Sequence, residues 1–218
     1  MNEKFEKYMN LVLERNEQIN LTAITDPEEF RLKHFEDSIS IIDYPEYQDA
    51  VRIMDLGTGA GFPGIPLAIS SPEKKFVLMD SLNKRLKVID EFCNELDIPN
   101  VETLHGRAEE LAKNMEYRDG FDLVVSRAVA NLSTLAELAI PFVKTNGYFL
   151  AYKGPEAGEE IRQAKKAFEA LGGKYIETRE TKMENFGISH NIVIIRKVKP
   201  TPKRFPRKPG EAGRNPIK

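Results

Sequence analysis

From residue 51 onward, short apolar runs rich in β-branched residues alternate with helical stretches, and this alternation limits the possible folds more than any other feature. The apolar runs fall at 51–55, 75–80, 101–105, 121–126 and 147–153. The helical stretches lie at roughly 64–70, 83–96, 107–114, 131–143 and 156–171. Strands that alternate with helices build parallel βαβ units. Near-continuous apolar runs such as Asp122-Leu123-Val124-Val125-Ser126 suit strands buried on both faces. The last two strand candidates, 174–182 and 191–198, have no helix between them and predict an antiparallel hairpin. The expected fold class is therefore α/β: a mostly parallel seven-stranded sheet with helices on both faces and a terminal hairpin.

Upstream of the sheet, residues 3–19 carry Phe5, Tyr8, Met9, Val12 and Leu13 on roughly one helical face. A second helix is expected near residue 26. Asp26 is its N-cap, Pro27 its first residue, and Glu29 completes a capping box. Its apolar residues Phe30, Phe35, Ile39 and Ile42 suit core packing. The chain of 218 residues divides into a helical cap (1–46), the alternating domain (47–198) and a tail (199–218), in all one structural domain.

Net charge is only −2, but the basic residues are unevenly placed. From Arg196 to Lys218 there are nine Lys or Arg residues and one acid, Glu211. The tail has five prolines and little apolar content, so it is expected to be disordered or ordered by a partner. One cysteine, Cys93, excludes a disulfide framework and reads as a packing residue. His34, His105 and His190 show no metal-ligand spacing. The N-terminus is charged and amphipathic rather than a signal peptide, and no apolar run approaches a membrane span, so a cytoplasmic protein, a monomer, is expected.

The first strand runs into Asp55-Leu56-Gly57-Thr58-Gly59-Ala60-Gly61-Phe62. Glycines at this place let the backbone turn sharply and approach a ligand. The spacing is not G-x-G-x-x-G, since Phe62 stands at the third glycine's place, and no Lys-Ser or Lys-Thr pair makes a P-loop. A carboxylate at Asp55 disfavours a pyrophosphate and suits a ligand with cationic groups, such as the ammonium and sulfonium of S-adenosylmethionine (AdoMet). Asp80 ends the second strand, 25 residues on, where an acid accepts hydrogen bonds from ribose hydroxyls. Ser81 and Leu82 would flank the adenosine; Asp80 can also cap the following helix. After the third strand, Ala108 and Glu109 are candidates for the adenine edge, against the alternative of an ordinary helix start. The fourth strand ends at Ser126-Arg127-Ala128, which places Arg127 at the carboxyl edge of the sheet, on the acceptor side of a methyltransferase cleft. Five βα units and a hairpin match a class I AdoMet-dependent methyltransferase sheet, a Rossmann-like fold.

The segments DLGTGAGFPGIPLAI, LMDSLNKR, GRAEE, FDLVVSRAVA, NLTAI and KHFEDSI, with the basic tail PRKPGEAGRNPIK, resemble the bacterial RsmG (GidB) family of 16S ribosomal RNA 7-methylguanosine methyltransferases. The resemblance runs over nearly the whole chain. It implies methylation of guanine nitrogen 7 in 16S rRNA, either in the free RNA or in the small ribosomal subunit. It also implies cofactor contacts at Gly57, Phe62, Asp80, Ser81, Leu82, Ala108, Glu109 and Arg127, to which the loop reading adds Asp55 and Gly59. Finally, it implies an RNA-facing cap. Lys33 and His34 stand where the family usually has Arg-His, so a point charge replaces a bidentate fork.

Nitrogen 7 has a free lone pair and no proton to lose, so direct in-line transfer needs orientation and no general base; Arg127 is the candidate orienting residue. Phosphate contacts are expected from Lys33, Lys84, Arg85, Arg127, Lys153, Lys203, Arg204, Arg207, Lys208 and Arg214. Three other readings remain at this stage: an AdoMet enzyme with another RNA or small-molecule acceptor, a non-catalytic RNA-binding module on the same fold, and an NAD-dependent oxidoreductase, which the glycine spacing disfavours.

Overall fold

A computed structural model describes residues 3–183 and 188–218. Its strands are β1 (Arg52–Leu56), β2 (Lys75–Asp80), β3 (Val101–His105), β4 (Phe121–Arg127), β5 (Val143–Lys153), β6 (Gly173–Met183) and β7 (Ile188–Lys197). They form one sheet in the order β3-β2-β1-β4-β5-β7-β6. The first five are parallel, and β7 runs antiparallel between β5 and β6. The strand order reverses between β1 and β4, and an open parallel sheet has a crevice beyond its strand ends at such a point.

Alternate residues of the central strands enter two separate cores, as the period-two geometry of a strand requires. Ile53, Leu78, Leu123 and Val125 face one side; Met54, Leu56, Val77, Met79 and Val124 face the other. Helix α1 (Glu3–Asn16) buries Tyr8 and Val12 in the first core, which it shares with α5 (Gly64–Ser70) and α6 (Asn83–Glu95). The cap is thus continuous with the core of the sheet.

Asp26 caps α2 (Pro27–Phe30) as expected, accepting from the N–H groups of Glu28 and Glu29. The Glu29 side chain does not complete a capping box; it pairs with Lys33. The chain then widens into a π-helical stretch, Arg31–Glu36, before α3 (Asp37–Ile39) and, after a turn, α4 (Pro45–Gln48). Wide turns of this kind re-aim side chains, and this one carries Lys33 and His34. Helices α7 (Ala108–Leu111) and α8 (Leu132–Ala139) are shorter than the sequence pattern suggests. The Asn131 side chain caps α8 by accepting from the Thr134 N–H, and Pro141 sits in the 3₁₀ turn Ile140–Phe142 that ends it.

The tail departs from expectation. It is folded onto its own domain, packing against α7, α8 and α9 (Ala157–Leu171). Phe205 and Ala212 are buried. The Arg118 guanidinium donates to the carbonyls of Thr201 at 2.8 Å and Phe205 at 3.0 Å. Thr201 Oγ1 donates to Leu171 O, Ser133 Oγ to Ile217 O and Thr134 Oγ1 to Ala212 O. A final turn, α10 (Glu211–Arg214), contacts α8. The tail has little apolar content of its own, but backbone carbonyls satisfied by side chains of the main domain replace a core. Among the described residues, no helix is long and apolar enough to cross a membrane.

Candidate functional site

Two adjoining clefts open at the carboxyl ends of the parallel strands, and both are lined by Ala128. This residue follows β4 with φ +57°, in the left-handed region that a side chain rarely adopts. Backbone strain at such a turn is a recurring mark of a functional site.

The first cleft, of about 290 Å³, lies over the ends of β1 and β2 and is lined by Gly57, Asp80, Ser81, Ala108, Glu109 and Val129, among others. Gly57 has φ +74°, and a Cβ there would sit 2.5 Å from Val129 Cγ2, so a side chain at this position would be strained and would have to displace Val129. Asp80 holds the loop from the next strand: Oδ2 accepts from the Gly59 N–H at 3.0 Å and Oδ1 from the Leu82 N–H at 2.9 Å. Its ion-pair neighbour is Arg85, at 3.6 Å. Glu109 Oε1 accepts from the backbone N–H of Gly210 in the tail at 2.7 Å. Burial works to raise the Glu109 pKa, but the Gly210 N–H, its own backbone N–H and Arg107 outweigh it and hold the carboxyl below its ordinary value.

The second cleft, of about 430 Å³, lies between the cap and the ends of β4, β5 and β7. Arg127 is the hub of its polar wall. Nη1 donates to Asp37 Oδ2 at 2.9 Å and to Lys33 O at 2.8 Å, and Nη2 lies 3.0 Å from His34 Nδ1. Asp37 is completely buried on its side chain and also meets His190 Nδ1 at 2.7 Å. Burial alone would raise the Asp37 pKa; the His190 hydrogen bond and the Arg127 charge reverse that and lower it. His34 goes the other way. Burial, then the neighbouring Arg127 cation, lower its pKa to about 3, so the ring is neutral at neutral pH. Because Arg127 can only donate, His34 Nδ1 must accept, and the proton sits on Nε2, which donates to Thr22 Oγ1 at 2.8 Å. Thr22 is held in turn by Asn16, whose Oδ1 accepts from the N–H groups of Leu21 and Thr22. The Asn20-Leu21-Thr22 segment is thereby tied to Arg127 through His34.

Residues 1–190 match the model of the GidB family, described as rRNA small subunit methyltransferase G. The chain belongs to this family. It is 52% identical over 214 residues to ribosomal RNA small subunit methyltransferase G of Clostridium novyi (strain NT), covering 98% of this chain and 88% of that protein. The protein of the same name from Clostridium tetani (strain Massachusetts / E88) is 50% identical, with 98% and 90% covered. Among solved structures, the O-methyltransferase from Bacillus cereus in complex with SAH superposes with a TM-score of 0.60 over 88% of this chain and 91% of that one. At 18% identity, that likeness shows the class I methyltransferase fold alone.

In this member of the family, several side chains stand elsewhere than sequence spacing implies. Asp55 does not line either cleft. It is buried under the glycine loop, where Oδ2 accepts from Thr58 Oγ1 at 2.6 Å and from the Gly64 N–H at 2.9 Å. Burial pushes its pKa up to about 6, against the pull of those two donors. Phe62 lines neither cleft and enters an aromatic cluster: His34 stacks on it at 4.3 Å and 7°, and Tyr8 and Phe30 pack around it. Tyr8, beyond its packing role, donates to Ala60 O and fixes the loop from the cap side. Gly59 reaches the first cleft only through its bond to Asp80, and Leu82 is an exposed side chain beside it. Arg127 faces the second cleft, not the first.

The basic residues divide similarly. Lys84, Lys203, Arg204, Lys208 and Arg214 are exposed. Arg85 lies at the first cleft beside Asp80. Lys33 pairs with Glu29, and Lys153 forms a largely buried pair with Glu160 at 2.7 Å. Arg207 is not free for a phosphate: its backbone N–H, Nε and Nη2 go to Glu137, which is buried, and Nη1 lies 3.6 Å from Glu211 Oε1. Sequence reasoning passed over Asp37, His190 and Tyr152, which line the second cleft, and Arg107, which lines the first. The first two are 153 positions apart and meet only in the folded chain. The segment KHFEDSI contained Asp37, but periodicity cannot show which acid points inward.

Proposed function

We propose that this protein binds AdoMet in the first cleft and transfers its methyl group to nitrogen 7 of a guanine in small-subunit ribosomal RNA seated in the second. The observation that carries the reading is the pair of clefts sharing Ala128 at the sheet's switch point. The first cleft fits a nucleoside with an extended amino-acid arm: a Cβ at Gly57 would have to displace Val129, and a carboxylate, Asp80, ends β2 beside it. Asp80 would take the ribose hydroxyls, Ser81 and Ala108 would flank the base, and Glu109 would meet the adenine edge. Bound AdoMet supplies an electrophilic methyl on sulfonium.

The chain's own residues then have to orient the acceptor. Arg127 is held by Asp37, Lys33 O and His34, so its side chain reaches the second cleft in one pose. Neither of the two side chains that hold Arg127 is poised as a base. His34 is neutral with both nitrogens engaged, and Asp37 is ion-paired and buried. That fits an acceptor atom with a lone pair and no proton to remove, for which catalysis is mainly alignment at roughly 3–3.5 Å. Substrate grip would come from the exposed Lys84, Lys203, Arg204, Lys208 and Arg214 on phosphates of the RNA or particle. A ribosomal substrate places the protein in the cytoplasm. The first test is calorimetric titration with AdoMet: micromolar-range binding by the wild type and loss on Asp80→Ala are expected, and no binding by the wild type refutes the reading.

A further inference from the structure

The tail's closest polar contact with the first cleft is its Gly210 N–H on Glu109 Oε1, at 2.7 Å. Glu109 stands in the first turn of α7, a helix of four residues that cannot fix its own orientation by length. What fixes it is the tail. Upstream of Gly210, Arg207 is clamped bidentate on Glu137 of α8 and Phe205 is buried. Downstream, Thr134 holds Ala212 O and Ser133 holds Ile217 O. Arg118 closes the ring by donating to Ala112 O, just past α7, as well as to Thr201 O and Phe205 O of the tail. Gly210 itself has φ +77°, the left-handed turn by which the chain leaves this N–H and enters α10. The α8 residue after the clamp, Leu138, also lines the cleft. The tail and α7 therefore form one rigid unit around the cleft's adenine end.

We infer that residues 205–212 act as a positioning strap for the cofactor cleft, with the Gly210 N–H orienting the Glu109 carboxylate toward the 6-amino group of the adenine. Gly210 and Arg207 are positioning residues, acting through Glu109. The inference rests on the AdoMet reading above, and it moves the tail's central turn from the RNA to the cofactor. The charged tips within and beside it, Lys203, Arg204, Lys208 and Arg214, remain exposed.

The test compares full-length wild type, Gly210→Pro, which removes the N–H and, with its ring holding φ near about −65°, the left-handed turn that presents it, and Gly210→Ala, which keeps the N–H. A Cβ at position 210 meets only Arg214 Nη2, at 4.0 Å, so the alanine form suffers backbone strain alone. Each is titrated with S-adenosylhomocysteine and with S-inosylhomocysteine, which lacks the amino donor. The wild type is expected to prefer the adenosine compound. Gly210→Pro should weaken that compound about tenfold, leave the inosine compound within about twofold, and so collapse the preference; Gly210→Ala should restore most of it. Equal weakening of both compounds would mean a merely structural tail and would overturn the inference, as would an unchanged preference in Gly210→Pro. Failure of the wild type to bind either compound strikes instead at the AdoMet reading. If Gly210→Pro does not fold, Thr134→Val loosens the same turn by removing the Ala212 anchor. It should narrow the preference in the same direction, and an unchanged preference there overturns the inference as well.

Discussion

Replacing Asp37 by Asn keeps the shape of a fully buried side chain and removes only its charge. In the wild type that charge meets Arg127 at 2.9 Å and His190 at 2.7 Å. Breaking a buried pair from one side costs about 3–5 kcal/mol, because the other charge is left uncompensated. Arg127 keeps two neutral acceptors, Lys33 O and His34 Nδ1, and 15% of its side chain reaches solvent, so the lower end, about 3 kcal/mol, applies. For a chain of this size that is a fall of roughly 6–12 °C in Tm. The pH dependence carries its own signature. The folded Asp37 pKa is lowered, so its stabilisation is present above the ordinary carboxylate pKa of 3.8 and is lost as pH falls through the folded value. The stability gap between wild type and Asp37→Asn, measured by urea unfolding, should be full at pH 7 and close in acid. The double variant Asp37→Asn/Arg127→Gln should lose less than the two singles combined, by about 1 kcal/mol or more. A Tm shift under about 2 °C with additive double-variant losses refutes the network.

Three further outcomes follow from the same geometry. Asp55, with its pKa raised from 3.8 to about 6, favours the folded state fully below pH 3.8 and loses that advantage as pH rises toward 6; relative to Asp55→Asn, the wild type should therefore lose on the order of 3 kcal/mol between those values in denaturant titrations, and a pH-independent difference would count against it. Gly57→Ala places a Cβ 2.5 Å from Val129 at a positive φ; AdoMet affinity should drop at least tenfold by calorimetry with Val129 in place and partly recover in Gly57→Ala/Val129→Ala. For RNA binding, alanine at exposed Lys84, Lys203, Arg204 or Lys208 should each lower the slope of log affinity against log salt by about 0.7–0.9 if the residue meets a phosphate, whereas Arg207→Ala should leave the slope unchanged and lower Tm, because it strands the buried Glu137.

How much of this was legible in the sequence varied with the physics behind each feature. Strands β2 and β3 lie where the apolar runs predicted, because period and burial are local properties of a strand. The glycine loop was equally legible as a backbone device. The direction of its side chains was not. Asp55 and Phe62 sit at positions in a motif, and a motif gives order along the chain without saying which side of the loop a residue faces. The cap supplies that missing information: Tyr8, Phe30 and His34 form the socket that takes Phe62. The Asp37–His190 contact joins residues from opposite ends of the chain and leaves no local trace. The tail misled for a different reason. Its composition rules out a core of its own, but not docking through a few apolar anchors and through carbonyls that Arg118 satisfies from elsewhere.

The most direct measurement of the central claim is mass spectrometry of small-subunit rRNA, free and in particles, taken from cells lacking this activity and incubated with the protein and AdoMet. The prediction is a single methyl gain on one guanine, located to nitrogen 7 by its characteristic lability to base and lost with Asp80→Ala. A methyl on an exocyclic amine, a carbon or a ribose hydroxyl would contradict the guanine-7 assignment, and no methyl on either substrate by a protein that binds AdoMet would contradict the assignment to rRNA.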